Sequence, residues 1–99
     1  MKVLYDPTAI NTDNPDYSFY CKGCKCNHGI WTSREHGEHP MWTFNNNIDS
    51  PTFTPSIKVT FQMDTHSNVC HSFITNGMIQ YLNDCTHEFA GKTIELDEI

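Results

Sequence analysis

The pattern of hydrophobic and polar positions along the chain is typical of short β-strands. The clearest case is the segment 56–63, where apolar side chains stand at every second position: Ile57, Val59, Phe61 and Met63. A period of two indicates a strand with one buried face and one solvated face. We therefore predict a half-buried strand from Ser56 to Met63.

A β-hairpin is predicted by the dipeptide Asn76-Gly77, which is flanked by the apolar runs Val69–Thr75 and Met78–Leu82. Asn-Gly favours a type I′ turn because both turn residues must take a positive φ. Beyond the hairpin, Asp84–Ala90 is predicted to form one helical turn, capped by Asp84 and ended by Gly91.

Further short strands complete a mainly β chain. They are predicted at Lys2–Tyr5, Tyr17–Tyr20 running into Cys21, Ile30–Thr32, Met41–Phe44 and Lys92–Leu96, with Lys22–Gly29 as a loop and Pro51–Pro55 as an extended segment. We expect a single β-rich domain over residues 1–99. Its antiparallel sheet would fold into a small sandwich or open barrel, with at most one short helix.

Composition narrows the possible functions. The 99 residues are 37% hydrophobic and carry a net charge of −6, without a basic stripe that could bind nucleic-acid phosphates. No stretch approaches the ~20 apolar residues of a membrane span, and the apolar run in MKVLYDPTAI is too short for a signal peptide. We therefore expect a cytoplasmic protein with a protein partner rather than a nucleic acid or a membrane.

Cysteine and histidine provide the main chemical signal. Five cysteines in a chain expected to be cytoplasmic favour metal ligation over disulfides. Cys21-Lys22-Gly23-Cys24 has the spacing of a zinc knuckle, and Cys26 and His28 add donors close by. A structural metal would also help a domain whose core is thin.

The rest of the metal site is expected near the hairpin, whose ends bring Cys70-His71 close to Cys85 and His87. Neighbouring residues of a strand face opposite ways, so Cys70 and His71 are not expected to bind the same ion. We predict a Zn²⁺ ion whose four ligands are Cys21, Cys24, His71 and Cys85. The alternative ligands are Cys26, Cys70 and His87.

Other roles for these residues stay open. Cys26, Cys70 and Cys85 could be small buried apolar side chains, and Cys21 with Cys24 could form a redox pair. Asp84 with His87 could orient a catalytic water on a metal, although a helix cap is the simpler interpretation. The hydroxyls of Thr52, Thr54 and Ser56 have no partner base that the sequence identifies.

The order of these motifs resembles a family of small phage and prophage proteins of unknown function, sometimes labelled ammonia monooxygenase. The resemblance spans about Phe19 to Leu96 and rests on Cys21-x-x-Cys24-x-Cys26-x-His28, Pro51-Thr52-Phe53-Thr54-Pro55-Ser56-Ile57, Cys70-His71-Ser72-Phe73-Ile74 before Gly77, and Asp84-Cys85-Thr86-His87 with Ala90-Gly91-Lys92-Thr93. It implies a phage origin, a host-cell cytoplasmic location and metal binding. We do not adopt the monooxygenase label, since that activity belongs to a membrane-embedded enzyme.

Two functions follow from these expectations. The first is a non-enzymatic, phage-encoded zinc module that binds a host or phage protein, with inhibition of a host defence or nucleic-acid enzyme as one form. The alternative is a metal-dependent hydrolase acting on a small phosphorylated or nucleotide-like substrate, suggested by more His and Asp than a structural ion needs. A nucleic-acid-binding module is disfavoured by the scarcity of Lys and Arg.

Overall fold

Eight strands form two antiparallel sheets in the described part of the chain. The structure is a computed structural model that describes residues 1–9, 12–32, 40–62 and 67–99. The strands are β1 (Leu4–Tyr5), β2 (Tyr17–Cys21), β3 (Cys26–Ile30), β4 (Thr43–Phe44), β5 (Phe53–Gln62), β6 (Ser67–Thr75), β7 (Met78–Tyr81) and β8 (Thr93–Glu95). One sheet has the order β1-β2-β3 and the other β4-β5-β6-β7-β8. The prediction of a mainly β, antiparallel fold is confirmed.

The two sheets share one hydrophobic core, as in a small sandwich. Phe19, Cys21 and Ile30 of the smaller sheet belong to the same buried cluster as Ile57, Cys70, Ile74, Ile79 and Tyr81 of the larger one. Each of these residues is at most 2% exposed. The core therefore lies between the sheets, and the far face of the five-stranded sheet is open to solvent.

Strand β5 follows the predicted alternation but starts earlier, at Phe53. Its pairing with β6 shifts register between Phe53 and Ile57, so Ser56 lies in an irregular stretch of the ladder. The indole Nε1–H of Trp42 donates to the Ser56 carbonyl at 3.2 Å. Register shifts of this kind re-aim side chains and are common next to active sites. Residue 63, predicted as the end of this strand, lies outside the described residues.

The hairpin between β6 and β7 is confirmed at the predicted turn. Asn76 and Gly77 have φ values of 51° and 79°, both positive as a type I′ turn requires. At the earlier loop the prediction is partly wrong, because β3 begins at Cys26 and Ile30 is its last residue. There the turn closes more tightly than predicted: Lys25 takes a φ of 58° and its N–H donates to the Cys21 carbonyl at 2.8 Å.

The helical turn predicted at Asp84–Ala90 is wrong. This segment forms successive turns, with N–H groups donating three residues back, from Cys85 to Leu82 at 3.2 Å and from Ala90 to His87 at 3.3 Å. The side chains of Cys85 and Thr86 bond to the backbone of β6 instead. No helix long and apolar enough to cross a bilayer occurs in the residues that the structure describes.

Candidate active site and metal centre

A serine, a histidine and an aspartate lie in a hydrogen-bonded row on the open face of the larger sheet. His71 Nε2 is 3.0 Å from the Ser56 hydroxyl, and His71 Nδ1 is 3.0 Å from Asp84 Oδ2. A carboxylate only accepts hydrogen bonds, so the shared proton of a neutral imidazole belongs on Nδ1. Nε2 then offers its lone pair to the Ser56 O–H, as a general base for a serine nucleophile must.

Strand alternation places the histidine on this face. Cys70 is 1% exposed and points into the core. His71, the next residue, therefore points to the other side of the sheet, where it is half-buried. Lys58 of β5 is its register partner, and Ser56 lies two residues earlier on the same strand. The two side chains thus meet across the β5–β6 ladder.

Asp84 reaches the histidine from the turn segment that follows β7. The side chain of Asp84 is 49% exposed and that of His71 is 24% exposed. A cleft of about 320 Å³ elsewhere is lined by residues that include Gly23, Cys24 and His87, but none of Ser56, His71 and Asp84. The row of three is therefore accessible from solvent on a sheet face and not enclosed in this cleft.

Four side chains of types that can bind a metal converge in the core, where the two sheets meet. Cys21 at the end of β2, Cys24 in the following turn, His28 of β3 and Cys70 of β6 each offer a donor atom, all within 4.8 Å of one another. The Cys24 N–H donates to Cys21 Sγ at 3.4 Å, which closes the knuckle. This group could hold a metal ion.

Two observations show that these residues fit a tetrahedral metal centre. The Sγ atoms of Cys21 and Cys70 are 3.8 Å apart. Two thiolates bound at ~2.3 Å in a tetrahedral zinc site stand about 3.8 Å apart. His28 Nε2 is buried without a hydrogen-bond partner, a state that is costly unless another ligand is present.

The thiols of this group influence each other's ionisation. The Cys70 thiol, hydrogen-bonded to Cys21, is the largest cause of a Cys21 pKa that falls to about 3, against the opposing effect of burial. The same bond is the main reason why the pKa of Cys70 is raised. Burial, with the Cys21 charge, raises the pKa of Cys24 to about 12. These shifts favour a thiolate on Cys21 and disfavour a second thiolate beside it.

A second group of donors, Cys70, Cys85 and His87, also lies within 4.8 Å. The Phe89 N–H donates to His87 Nδ1 at 3.2 Å, so the neutral ring carries its proton on Nε2 and offers no lone pair there. Cys85 Sγ is engaged with the backbone of His71. We therefore regard the first group as the better metal centre.

The predicted site residues thus separate into two places. The structure brings Cys21 and Cys24 together with Cys70, which was an alternate in the prediction, and with His28, which was not among the predicted ligands. His71 lies on the opposite face of β6. Cys26 belongs to neither donor group among the described residues. Alternation along the strands carried the signal. In β6 it makes Cys70 and His71 face opposite sides of the sheet, and in β5 it turns Ser56 away from the side where Ile57 is buried.

Comparison with known proteins identifies a family. A family model described as "Bacterial ubiquitination-like system serine protease (BubE)" matches residues 3–82. Comparison with the curated proteins and with the solved structures gives no match. The match covers most of the chain, including Ser56 and His71, and ends just before Asp84.

This finding corrects the two functions drawn from the sequence. The expectation of a non-enzymatic phage module that binds a host protein is wrong, because the family is named as a serine protease of a bacterial system. The alternative, a metal-dependent hydrolase of small phosphorylated compounds, is not supported either, and the phage origin implied by the resemblance stays a prediction. The chain belongs to the BubE family of bacterial ubiquitination-like system serine proteases.

Proposed function

We propose that the chain is a serine protease in which Ser56 is the nucleophile, His71 the general base and Asp84 the group that orients the base. The observation that supports this most directly is the continuous row of two 3.0 Å hydrogen bonds, from Ser56 to His71 and from His71 to Asp84. The family description independently names serine chemistry.

The reaction follows from this arrangement. Ser56 Oγ attacks the scissile carbonyl carbon while its proton moves to His71 Nε2. The imidazolium then protonates the leaving amine, and the C–N bond breaks to leave an ester on Ser56. Water, deprotonated by His71, hydrolyses that ester and restores the enzyme. Throughout, the Asp84 carboxylate accepts the hydrogen bond from Nδ1–H and stabilises the transient positive charge of the ring.

We propose a protein substrate. Ser56 and His71 lie on an open sheet face, which an extended polypeptide can approach. Small molecules are usually bound in enclosed pockets instead. Since the family is described as part of a ubiquitination-like system, we propose that the substrate is a protein of such a system. The expected protein partner is then the substrate itself.

A fluorophosphonate probe tests the proposed nucleophile. We expect the wild-type protein to gain one phosphonyl group on the peptide that contains Ser56, and Ser56→Ala to gain none, because only an activated serine hydroxyl reacts. Intact-protein and peptide mass spectrometry measure this. Thr60→Ala, which removes an exposed hydroxyl farther along the same strand, is the matched control and should label like wild type. Equal labelling of wild type and Ser56→Ala would refute the assignment.

We propose further that the four-donor centre binds Zn²⁺ as a structural ion. Three thiols and one imidazole form a donor set that zinc prefers, and four protein ligands complete its tetrahedron. Zinc bound there would cross-link β2, β3 and β6, and the serine chemistry proceeds on the other face of β6. Structural zinc contributes about 10–16 kcal/mol in small zinc-finger peptides, so its removal should unfold much of the domain.

Metal analysis of purified protein tests this centre. We expect about one zinc per chain for a single tetrahedral site, and a large fall in the melting temperature when a chelator removes it. Cys21→Ser should lose the metal, whereas Cys26→Ser should keep it as a matched control. The proposal would be contradicted by purified protein that contains no zinc and whose melting temperature is unchanged by the chelator.

A cytoplasmic location is consistent with these proposals. Every cysteine of the chain is a free thiol, and three of them belong to the proposed zinc centre. Thiols persist in a reducing compartment, where zinc–thiolate sites are stable.

A further inference from the structure

Strand β7 pairs with the C-terminal part of one edge of β6 but does not extend as far as His71, the proposed base. Strands β6 and β7 pair from Thr75↔Met78 to Ser72↔Tyr81, and β7 ends there. The next N–H, that of Leu82, still donates to the His71 carbonyl at 2.9 Å. The chain then leaves the ladder, and Asp84 lies in the turns that follow.

Side chains of the two residues after Asp84 take over the bonding of this edge. The His71 N–H donates to Cys85 Sγ at 3.2 Å, and the Cys85 thiol is 3.2 Å from the His71 carbonyl oxygen, to which it donates. Two residues along, the Val69 N–H donates to Thr86 Oγ1 at 3.0 Å, and the Thr86 N–H donates to the Val69 carbonyl at 2.9 Å.

This pattern has a geometric consequence for the proposed base. The N–H and C=O of one strand residue point to the same edge, and in β6 Cys85 meets both of these groups on His71. Cys85 is 8% exposed, so water has little access to these weak sulfur bonds. Because Asp84 precedes Cys85 directly, the thiol that fixes the His71 peptide also fixes the backbone from which the carboxylate reaches Nδ1.

We propose that Cys85 is a positioning residue for the His71 general base, assisted by Thr86 at Val69. Its thiol sets the His71 peptide and the adjacent Asp84 in register, so that the imidazole stands between Ser56 and Asp84. Cys85 touches neither the nucleophile nor the substrate. This inference rests on the proposed function, since it concerns the same serine, histidine and aspartate.

Substitution of Cys85 tests the inference through the reactivity of Ser56. We expect Cys85→Ala to lower the second-order rate of fluorophosphonate labelling by about 10- to 100-fold, because small displacements of a catalytic group cost up to ~10²-fold. The hydroxyl of Cys85→Ser can accept and donate as the thiol does, so this variant should recover part of the loss. Cys26→Ala, at a half-buried cysteine that belongs to neither donor group, is the control and should label at the wild-type rate.

A second measurement separates positioning from general loss of stability. In the ¹H NMR spectrum, the His71 Nδ1 proton bound to Asp84 should give a downfield signal in wild type that shifts or broadens in Cys85→Ala. Zinc content should stay at the wild-type level. If Cys85→Ala does not fold, Thr86→Val is measured in its place. This variant removes the hydroxyl that bonds to Val69 at an exposed position, and it should slow labelling at least threefold.

The outcomes are distinct. A wild-type protein that the probe does not label would refute the proposed function itself. A labelled wild type, with Cys85→Ala (or Thr86→Val in its place) reacting at an unchanged rate and with an unchanged downfield signal, would overturn the positioning role alone.

Discussion

At the scale of single residues, the candidate site could be predicted only in part, because each residue type has several uses. Ser56 and Asp84 were recognised as polar groups, but a hydroxyl and a carboxylate say nothing until a base is placed between them. His71 was assigned to the metal because the ends of the predicted hairpin bring it close to Cys85. The β5–β6 register brings Ser56 to His71, and the turns after β7 bring Asp84; local sequence patterns predict neither contact.

The Asp84 carboxylate should affect catalysis by accepting a hydrogen bond from His71 Nδ1–H, which keeps the imidazole in the tautomer that a general base needs. In Asp84→Asn the amide can donate to Nδ1, which puts the imidazole proton on Nε2 and removes the lone pair that faces Ser56. We expect the rate of probe labelling, or of substrate cleavage, to fall by about 10²- to 10⁴-fold with little change in the melting temperature. Glu88→Gln removes the same charge from an exposed position in the same segment and should have little effect. Wild-type rates in Asp84→Asn would exclude this role.

At the scale of the elements, strands with clear alternation or a strong turn signal were predicted well, and irregular segments were not. The half-buried period of β5 and the Asn76-Gly77 turn fix their strands locally. The segment Asp84–Ala90 looked helical because Asp84 and Gly91 are good cap residues. Cys85 and Thr86 bond instead to the backbone of β6, which is distant in sequence, and such tertiary bonds override local propensity.

Strand β8 is joined to the start of the chain by a pair that should depend on pH. Lys2 Nζ donates to Glu95 Oε1 at 2.6 Å and to the Leu96 carbonyl at 2.9 Å. The hydrogen bond from Lys2 lowers the pKa of Glu95, and its charge adds to the effect. The folded state therefore favours the carboxylate, so the pair stabilises the fold above the ordinary carboxyl pKa of about 4.3 and ceases to do so as the pH falls through the lowered value.

Thermal unfolding of Glu95→Gln measures this contribution. We expect the variant to melt at a lower temperature than wild type near neutral pH. The difference in melting temperature should shrink as the pH falls below the ordinary carboxyl pKa of about 4.3. Asp13→Asn, at an exposed position, should show no such pH-dependent difference. A constant difference at every pH would mean that the side-chain shape of Glu95, and not its charge, is what the fold requires.

At the scale of the whole molecule, the sandwich explains why the structure gathers a donor group that differs from the predicted metal site. The knuckle was visible locally in Cys21 and Cys24. His28 and Cys70 join it because β3 folds back on β2 and because β6 packs its inner face on the smaller sheet. Sequence patterns predict which face of a strand is buried, but not which strands of the opposite sheet that face will meet.

The two proposed sites of the molecule lie back to back on consecutive residues of one strand, with Cys70 facing inward and His71 facing outward. A strand of this kind tolerates replacement of side chains far better than a change of length, since inserting or deleting one residue turns every following side chain to the other face. One such event before Cys70 would carry the thiol toward solvent and the imidazole into the core, ending catalysis and metal binding together. Natural variants of this protein should therefore differ in the length of their loops but keep Ser56 next to Ile57 within β5 and Cys70 next to His71 within β6.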